Sequence, residues 1–215
     1  MATSPMTRNP EPPLAIAIMA KAPIAGLAKT RLIPLLGADG AAELQGWLLQ
    51  RTVATALAAD LGPVSLWCTP DTSHPAFVDC GRDGRLSLHR QPEGDLGQRM
   101  LVAAQTSATA AGVLLIGTDC PMLDARRLRR AAAGLREHDA VLLPAEDGGY
   151  VLLGLRQVAT ELFSDISWST DQVLTQTRHR LSVLGWRWKE PETLWDIDHP
   201  ADYLRLQAMR ATDKR

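Results

Sequence analysis

The sequence predicts an α/β fold: a single-domain, mostly parallel, twisted sheet flanked by helices in three layers. Three observations predict it. Short apolar runs of strand length recur along the chain, helically spaced stretches separate them, and Gly or Pro marks many of the junctions. The 215 residues suit one domain with a sizeable core, and 46% hydrophobic with 22% charged residues is ordinary globular composition.

Residues 14–20 (LAIAIMA), bounded by Pro13 and Lys21, read as a buried strand. Pro23, Gly26 and Pro34 mark the next stretch as a loop. Leu44, Trp47, Leu48, Thr52, Thr55 and Ala56 have helical spacing, which predicts a helix over 41–59 that Gly62-Pro63 stops. Strands follow at 64–68 and 86–89, a helix at 95–110 and a buried strand at 113–117. Asp124 is placed to cap a helix reaching about 137. Strands at 140–143 and 150–153 flank Asp147-Gly148, which by spacing alone reads as a hairpin turn. A helix over 170–184, a short strand at 186–188 and a helix from Pro200 to 209 complete the pattern. Residues 1–13, polar and Pro-rich, read as a flexible tail, and 14–210 as one domain with no repeat or linker.

Charge and cysteine content narrow the function. With 23 Lys and Arg against 24 Asp and Glu, the net charge of -1 argues against a nucleic-acid binder held by bulk positive charge. The seven-residue run at 14–20 is too short to span a membrane, and no signal-peptide pattern precedes it. Three cysteines without C-x-x-C spacing fit a reducing compartment, so the expectation is a cytoplasmic protein.

The ends of strands carry the candidate chemistry. After the first strand, Lys21, Lys29 and Arg31 are the only charged residues between Pro12 and Ala38. Such a loop, with Gly26 and two prolines, suits a polyphosphate. It is not a P-loop, because Gly does not directly precede Lys29. Asp119 follows the strand at 113–117, where Pro121 turns the chain, and is placed to hold Mg²⁺ beside phosphates. Asp196 and Asp198 alternate around Ile197, and one of the pair is placed to complete that site. Gly97 opens a helix that approaches the same region, and Trp168 precedes another as a packing or stacking residue. Cys120 has no histidine partner and reads as a buried thiol.

Four segments in this order, Lys21-Ala22-Pro23…Gly26…Lys29-Thr30-Arg31, Gly117-Thr118-Asp119-Cys120-Pro121, Pro144-Ala145-Glu146-Asp147-Gly148-Gly149-Tyr150 and Asp196-Ile197-Asp198-His199-Pro200, resemble the nucleotide-diphospho-sugar transferase (GT-A) superfamily. Within it the chain looks like a bacterial glycosyltransferase-like family labelled radical-SAM/selenodomain-associated transferase. The first loop is also similar to those of phospholactate guanylyltransferases and molybdenum-cofactor nucleotidyltransferases. The resemblance implies a Rossmann-like three-layer sandwich and a nucleotide-binding transferase. It places Lys21, Gly26, Lys29 and Arg31 at the nucleotide phosphates, where Gly97 at the start of its helix is a further candidate. It places Lys29, Arg31 and Asp119 in catalysis, and Asp119 and Asp198 on Mg²⁺ or Mn²⁺. It also turns Asp147, Gly148 and Gly149 from a plain turn into an acceptor-contacting loop. Glycosyltransferases of this fold show a D-x-D motif where this chain has Asp119-Cys120-Pro121. The implied activity is therefore nucleotidyl transfer from an NTP to a phosphorylated small molecule with pyrophosphate release. Glycosyl transfer from an NDP-sugar and non-catalytic nucleotide binding are the alternatives. The implied partners are the nucleotide and a small-molecule acceptor, without nucleic acid or membrane, and a homodimer is compatible with them.

Overall fold

The structure, a computed structural model, describes residues 12–212, so the expected tail lies outside the described residues except for Pro12 and Pro13. Seven strands form one sheet: β1 (Ala15–Lys21), β2 (Val64–Thr69), β3 (Ser87–Arg90), β4 (Val113–Ile116), β5 (Ala140–Pro144), β6 (Tyr150–Leu155) and β7 (Trp188–Lys189). Their spatial order is β3-β2-β1-β4-β6-β5-β7. Every pairing is parallel except the two made by β6, which runs against both β4 and β5. The Asp147-Gly148 segment is therefore the connection of an antiparallel hairpin, as spacing alone predicts.

Residues alternate between the two sheet faces, because side chains in a strand have period two. Ile16, Ile18, Leu114 and Ile116 join one core. Ala15, Ala17, Val113 and Leu115 join the other. The first core is covered by α1 (Ile33–Ala59), α2 (Pro75–Gly81) and α4 (Ala125–Leu135), and the second by α3 (Leu96–Ser107) and α5 (Val173–Val183). Small Ala15 and Ala17 meet Ala103 and Ala104 of α3 in that second core. A third cluster joins Leu44 and Leu48 of α1 to Trp195, Ile197 and Leu206, the last from α6 (Pro200–Thr212).

Several boundaries differ from the sequence expectation. Helix α1 begins at Ile33 rather than 41, because Pro34 occupies its first turn, where a missing N–H costs nothing. Gly37, at φ 72, kinks the chain within it. The short helix α2 has too little periodicity to read. Helix α5 starts at Val173, since 170–172 form the turn leading into it. The last strand is only Trp188–Lys189. Asp124 caps α4 as expected, accepting from Arg127 N–H.

From β1 the chain winds outward through β2 to β3, then returns across β1 to β4. The strand order thus reverses between β1 and β4, and a crevice opens beyond their carboxyl ends. No helix among the described residues is long and apolar enough to cross a membrane.

Candidate active site

A cavity of about 970 Å³ occupies that crevice. Its lining brings together Lys21, Lys29, Arg31, Asp119, Asp147, Gly149 and Asp198 from the sequence expectations. Gly26, Gly97 and Gly148 do not line it, and each has a local structural role instead. Gly26, at φ +80, shapes the loop after β1. A Cβ on Gly97 would lie 2.3 Å from Trp168 Nε1 and 2.6 Å from Phe163 O, so this glycine lets α3 pack beneath the indole. Gly148, at φ +89, lets the hairpin turn approach the Asp171 backbone, while its carbonyl accepts from Leu174 N–H of α5.

The centre of the site is Lys29. Its backbone is left-handed, at φ 46 and ψ 45, a costly conformation for a residue with a Cβ. Its ammonium lies 2.7 Å from Asp119 Oδ1 and 3.2 Å from Asp198 Oδ1, and donates to the carbonyl of Ile197. Three protons thus meet three acceptors, with the side chain 6% exposed. Burial opposes the charge, but Asp119 and Asp198 outweigh it and hold the ammonium above the ordinary lysine range. The loop cations therefore do have counter-charges, supplied from distant segments: Arg31 Nη1 lies 3.2 Å from Asp198 Oδ2. Lys29 thus lines the cavity with its ammonium engaged by two carboxylates.

Backbone contacts fix these acids. Ile197 N–H donates to Asp119 O, tying the late segment to the end of β4. Leu194 N–H donates to Pro144 O and Glu146 N–H to Leu194 O, so the same segment runs beside the hairpin. Asp202 Oδ2 accepts from the N–H groups of Asp198 and His199, holding the start of α6. Burial, then the like charges of Asp147, Asp198 and Asp119, push the Asp196 carboxyl up to about 7. Glu146 gives both oxygens to Arg205, whose guanidinium lies 4.5 Å from the Trp195 ring centroid. Burial also pushes the Cys120 thiol up to about 11, consistent with an inert side chain.

Two further lining residues escaped the sequence reading. Gln91 lines the cavity and donates through Nε2 to Ala20 O and Trp67 O, which fixes its carboxamide. Arg99 donates to Gly94 O and lines the cavity without a carboxylate partner among the described residues. Both sit around the start of α3, where Asp95 and Gln98 form a reciprocal cap. Only Gly97, which the sequence places at the opening of this helix, hinted at them.

No group of three or more His, Cys, Asp or Glu that could hold a metal ion occurs among the described residues, so the carboxylates at this point are the pair Asp119 and Asp198. The Lys29 ammonium takes Oδ1 of both acids and Arg31 takes Asp198 Oδ2, which leaves Asp119 Oδ2 as the carboxylate oxygen of the pair without a partner among the described residues; Mg²⁺ is commonly held by one or two carboxylates together with substrate phosphates.

Residues 52–170 match the family described as "Uncharacterized protein conserved in bacteria (DUF2064)". The chain belongs to this family. The matched span of the DUF2064 family contains Asp119 and the Asp147 turn, while Lys29 and Asp198 lie on either side of it. Among solved structures, a candidate nucleotide-diphospho-sugar transferase from Desulfovibrio desulfuricans G20 is 26% identical, with TM-score 0.75 over 86% of this chain and 82% of that one. A nucleotidyl transferase from Methanothermobacter thermautotrophicus is 16% identical, with TM-score 0.58 over 91% and 97%. The 4-diphosphocytidyl-2C-methyl-D-erythritol synthase of Anaerococcus prevotii is 12% identical, with TM-score 0.62 over 93% and 96%. The last two likenesses are of fold. No curated protein matches the chain. The sheet with one reversed strand is thus the nucleotide-diphospho-sugar transferase fold that the ordered motifs imply.

Proposed function

We propose that this protein is a metal-dependent nucleotide-using transferase that transfers a nucleotidyl group from an NTP and releases pyrophosphate. The observation that carries the reading is the meeting of Lys29, Asp119 and Asp198 at the sheet's switch point, beside a cationic rim. Lys21 and Arg99 have no ion-pair partner among the described residues and are the cations available to a polyphosphate, with the exposed Arg31 beside them. Asp119 and Asp198 would hold Mg²⁺ or Mn²⁺, which would offset phosphate charge and polarise a phosphoryl oxygen. Lys29 keeps the two carboxylates aligned, so the site is ordered before substrate arrives.

Glycosyl transfer from an NDP-sugar is the second reading. The designation of the 26% identical Desulfovibrio protein favours it.

Thermal unfolding with a panel of NTPs and NDP-sugars, with and without Mg²⁺ or Mn²⁺, separates the two. A ligand at about 100 times its Kd stabilises by about 2.7 kcal/mol. A metal-dependent shift with one NTP that is lost in Asp119→Ala supports nucleotidyl transfer. A shift confined to an NDP-sugar supports glycosyl transfer. Wild-type turnover by Asp119→Ala under saturating Mg²⁺ would remove the metal assignment.

A further inference from the structure

The cavity is electrically divided. One side carries Lys21, Arg31 and Arg99, from the β1 loop and the start of α3. The other side is built by the β5–β6 hairpin, the segment before α5 and the segment after β7. Its lining includes Glu146, Asp147, Asp171, Asp196 and Asp198; Lys29 and Arg31 reach across to Asp198, whereas Asp147, Asp171 and Asp196 have no ion-pair partner among the described residues. Arg205 satisfies Glu146. Asp147 uses only Oδ1, on Gly149 N–H, and Asp171 only Oδ1, on Gln172 Nε2. Two carboxylate oxygens with open acceptor capacity thus lie on two segments that touch at Gly148. Trp168 lines the same cavity, its indole seated against Gly97 and its loop braced by Gln176, which hydrogen-bonds Ser167 through both ends of its amide.

Resting on the nucleotide reading above, the anionic donor belongs to the cationic side, and the acceptor meets the other. A phosphomonoester against Asp147 and Asp171, carrying roughly −1.5 to −2 charges at pH 7, would face two carboxylates that pair with no cation among the described residues. This departs from the phosphorylated acceptor that the sequence resemblance implies. Carboxylate oxygens accept hydrogen bonds from hydroxyl groups, and an indole face packs against the C–H face of a polyol.

We propose that the acceptor is an uncharged polyhydroxyl compound, a sugar or polyol, bound by Asp147, Asp171 and Trp168 and attacking through a hydroxyl. The hydroxyl oxygen forms a bond to the α-phosphorus of the NTP. The bond from that phosphorus to the bridging oxygen breaks, and pyrophosphate leaves with its electron pair. The hydroxyl proton passes to the open oxygen of Asp147. No redox partner is needed. In glycosyl transfer the same hydroxyl would attack the anomeric carbon and NDP would leave, so the acceptor assignment covers both readings.

The test is equilibrium binding by saturation-transfer NMR to wild-type protein loaded with Mg²⁺ and the α,β-methylene analogue of whichever NTP stabilises it. Where only an NDP-sugar stabilises it, the corresponding NDP is used. The probes are glycerol, myo-inositol, glucose and mannose, the monophosphate of each, and ethanolamine. The expected result is a neutral polyol binding about tenfold or more tighter than its own phosphate, with the ratio shrinking in Asp171→Asn and Asp147→Asn. A phosphate that binds as well as its parent polyol overturns the proposal. Tightest binding by ethanolamine, or no binding by any neutral probe, overturns it equally. Nucleotide affinity, measured alongside, keeps the two readings apart. Absence of metal-dependent nucleotide binding defeats the nucleotide reading and this inference with it, whereas intact nucleotide binding with preferred phosphates defeats this inference alone.

Discussion

Lys29 Nζ lies 2.7 Å from Asp119 Oδ1 and shares its remaining protons with Asp198 and the Ile197 carbonyl. One side chain thus joins the loop after β1, the end of β4 and the segment before α6. Replacing it by methionine keeps most of the volume and leaves two carboxylates facing each other. The pair is half open to solvent on the acid side, with Asp119 44% and Asp198 35% exposed. The expected cost of Lys29→Met is therefore about 1–2 kcal/mol, below the roughly 3–5 kcal/mol of a fully buried broken pair. Urea melts in metal-free buffer measure it. Added Mg²⁺ should restore part of the loss in the variant, because a divalent cation can stand where the ammonium stood between the two carboxylates; no recovery at saturating Mg²⁺ would contradict this.

Gly97→Ala places a methyl group against the Trp168 ring and the Phe163 carbonyl, and a carbonyl cannot swing aside like a flexible side chain. Overpacking of this kind costs about 1–3 kcal/mol. The variant should also displace Trp168 from the cavity wall. Chemical denaturation combined with quenching of tryptophan fluorescence checks both effects.

Asp95→Ala removes a capping box, since Asp95 accepts from Gln98 N–H while Gln98 Oε1 accepts from Asp95 N–H. A loss of about 1 kcal/mol is expected. Because Arg99 is anchored to Gly94 O within the same turn, nucleotide affinity should fall as well. Unchanged affinity, read by isothermal titration, would separate Arg99 from the phosphate site.

Glu190 is held below the usual carboxylate range, first by hydrogen bonds from Arg178, against the opposing effect of burial. Its folded pKa is depressed, so its contribution is present above the unfolded glutamate value and is lost as pH falls through the folded one. Glu190→Gln should flatten the acid limb of the stability–pH curve and lower stability at neutral pH. Unfolding midpoints between about pH 3 and 7 test this.

The sheet was legible because residues 15–20 of β1 and all of β4 are uninterrupted apolar runs, and β2, apolar but for Ser65 and Thr69, starts directly after Gly62-Pro63. Asp119 was legible because a strand ran directly into it. The reversal of β6 was less so: Asp147-Gly148 signals a turn, but nothing local says that β6 inserts between β4 and β5. Gln91 and Arg99 were missed because their roles depend on which carbonyls and cavity walls surround them, and no spacing encodes that. The partners of Lys29 were invisible for the same reason. A loop that reads as uncompensated in sequence is compensated in space by acids from the middle and the end of the chain.

That arrangement sets an order of events during synthesis. The strands β1 to β4 can pair while the chain is still emerging, but Lys29 then faces Asp119 without Asp198 or the Ile197 carbonyl. The segment that supplies both also stitches β5 to β4 through Leu194 and Ile197. A nascent polypeptide therefore holds a nearly finished scaffold with an unfinished centre, and competence arrives only with its final helix.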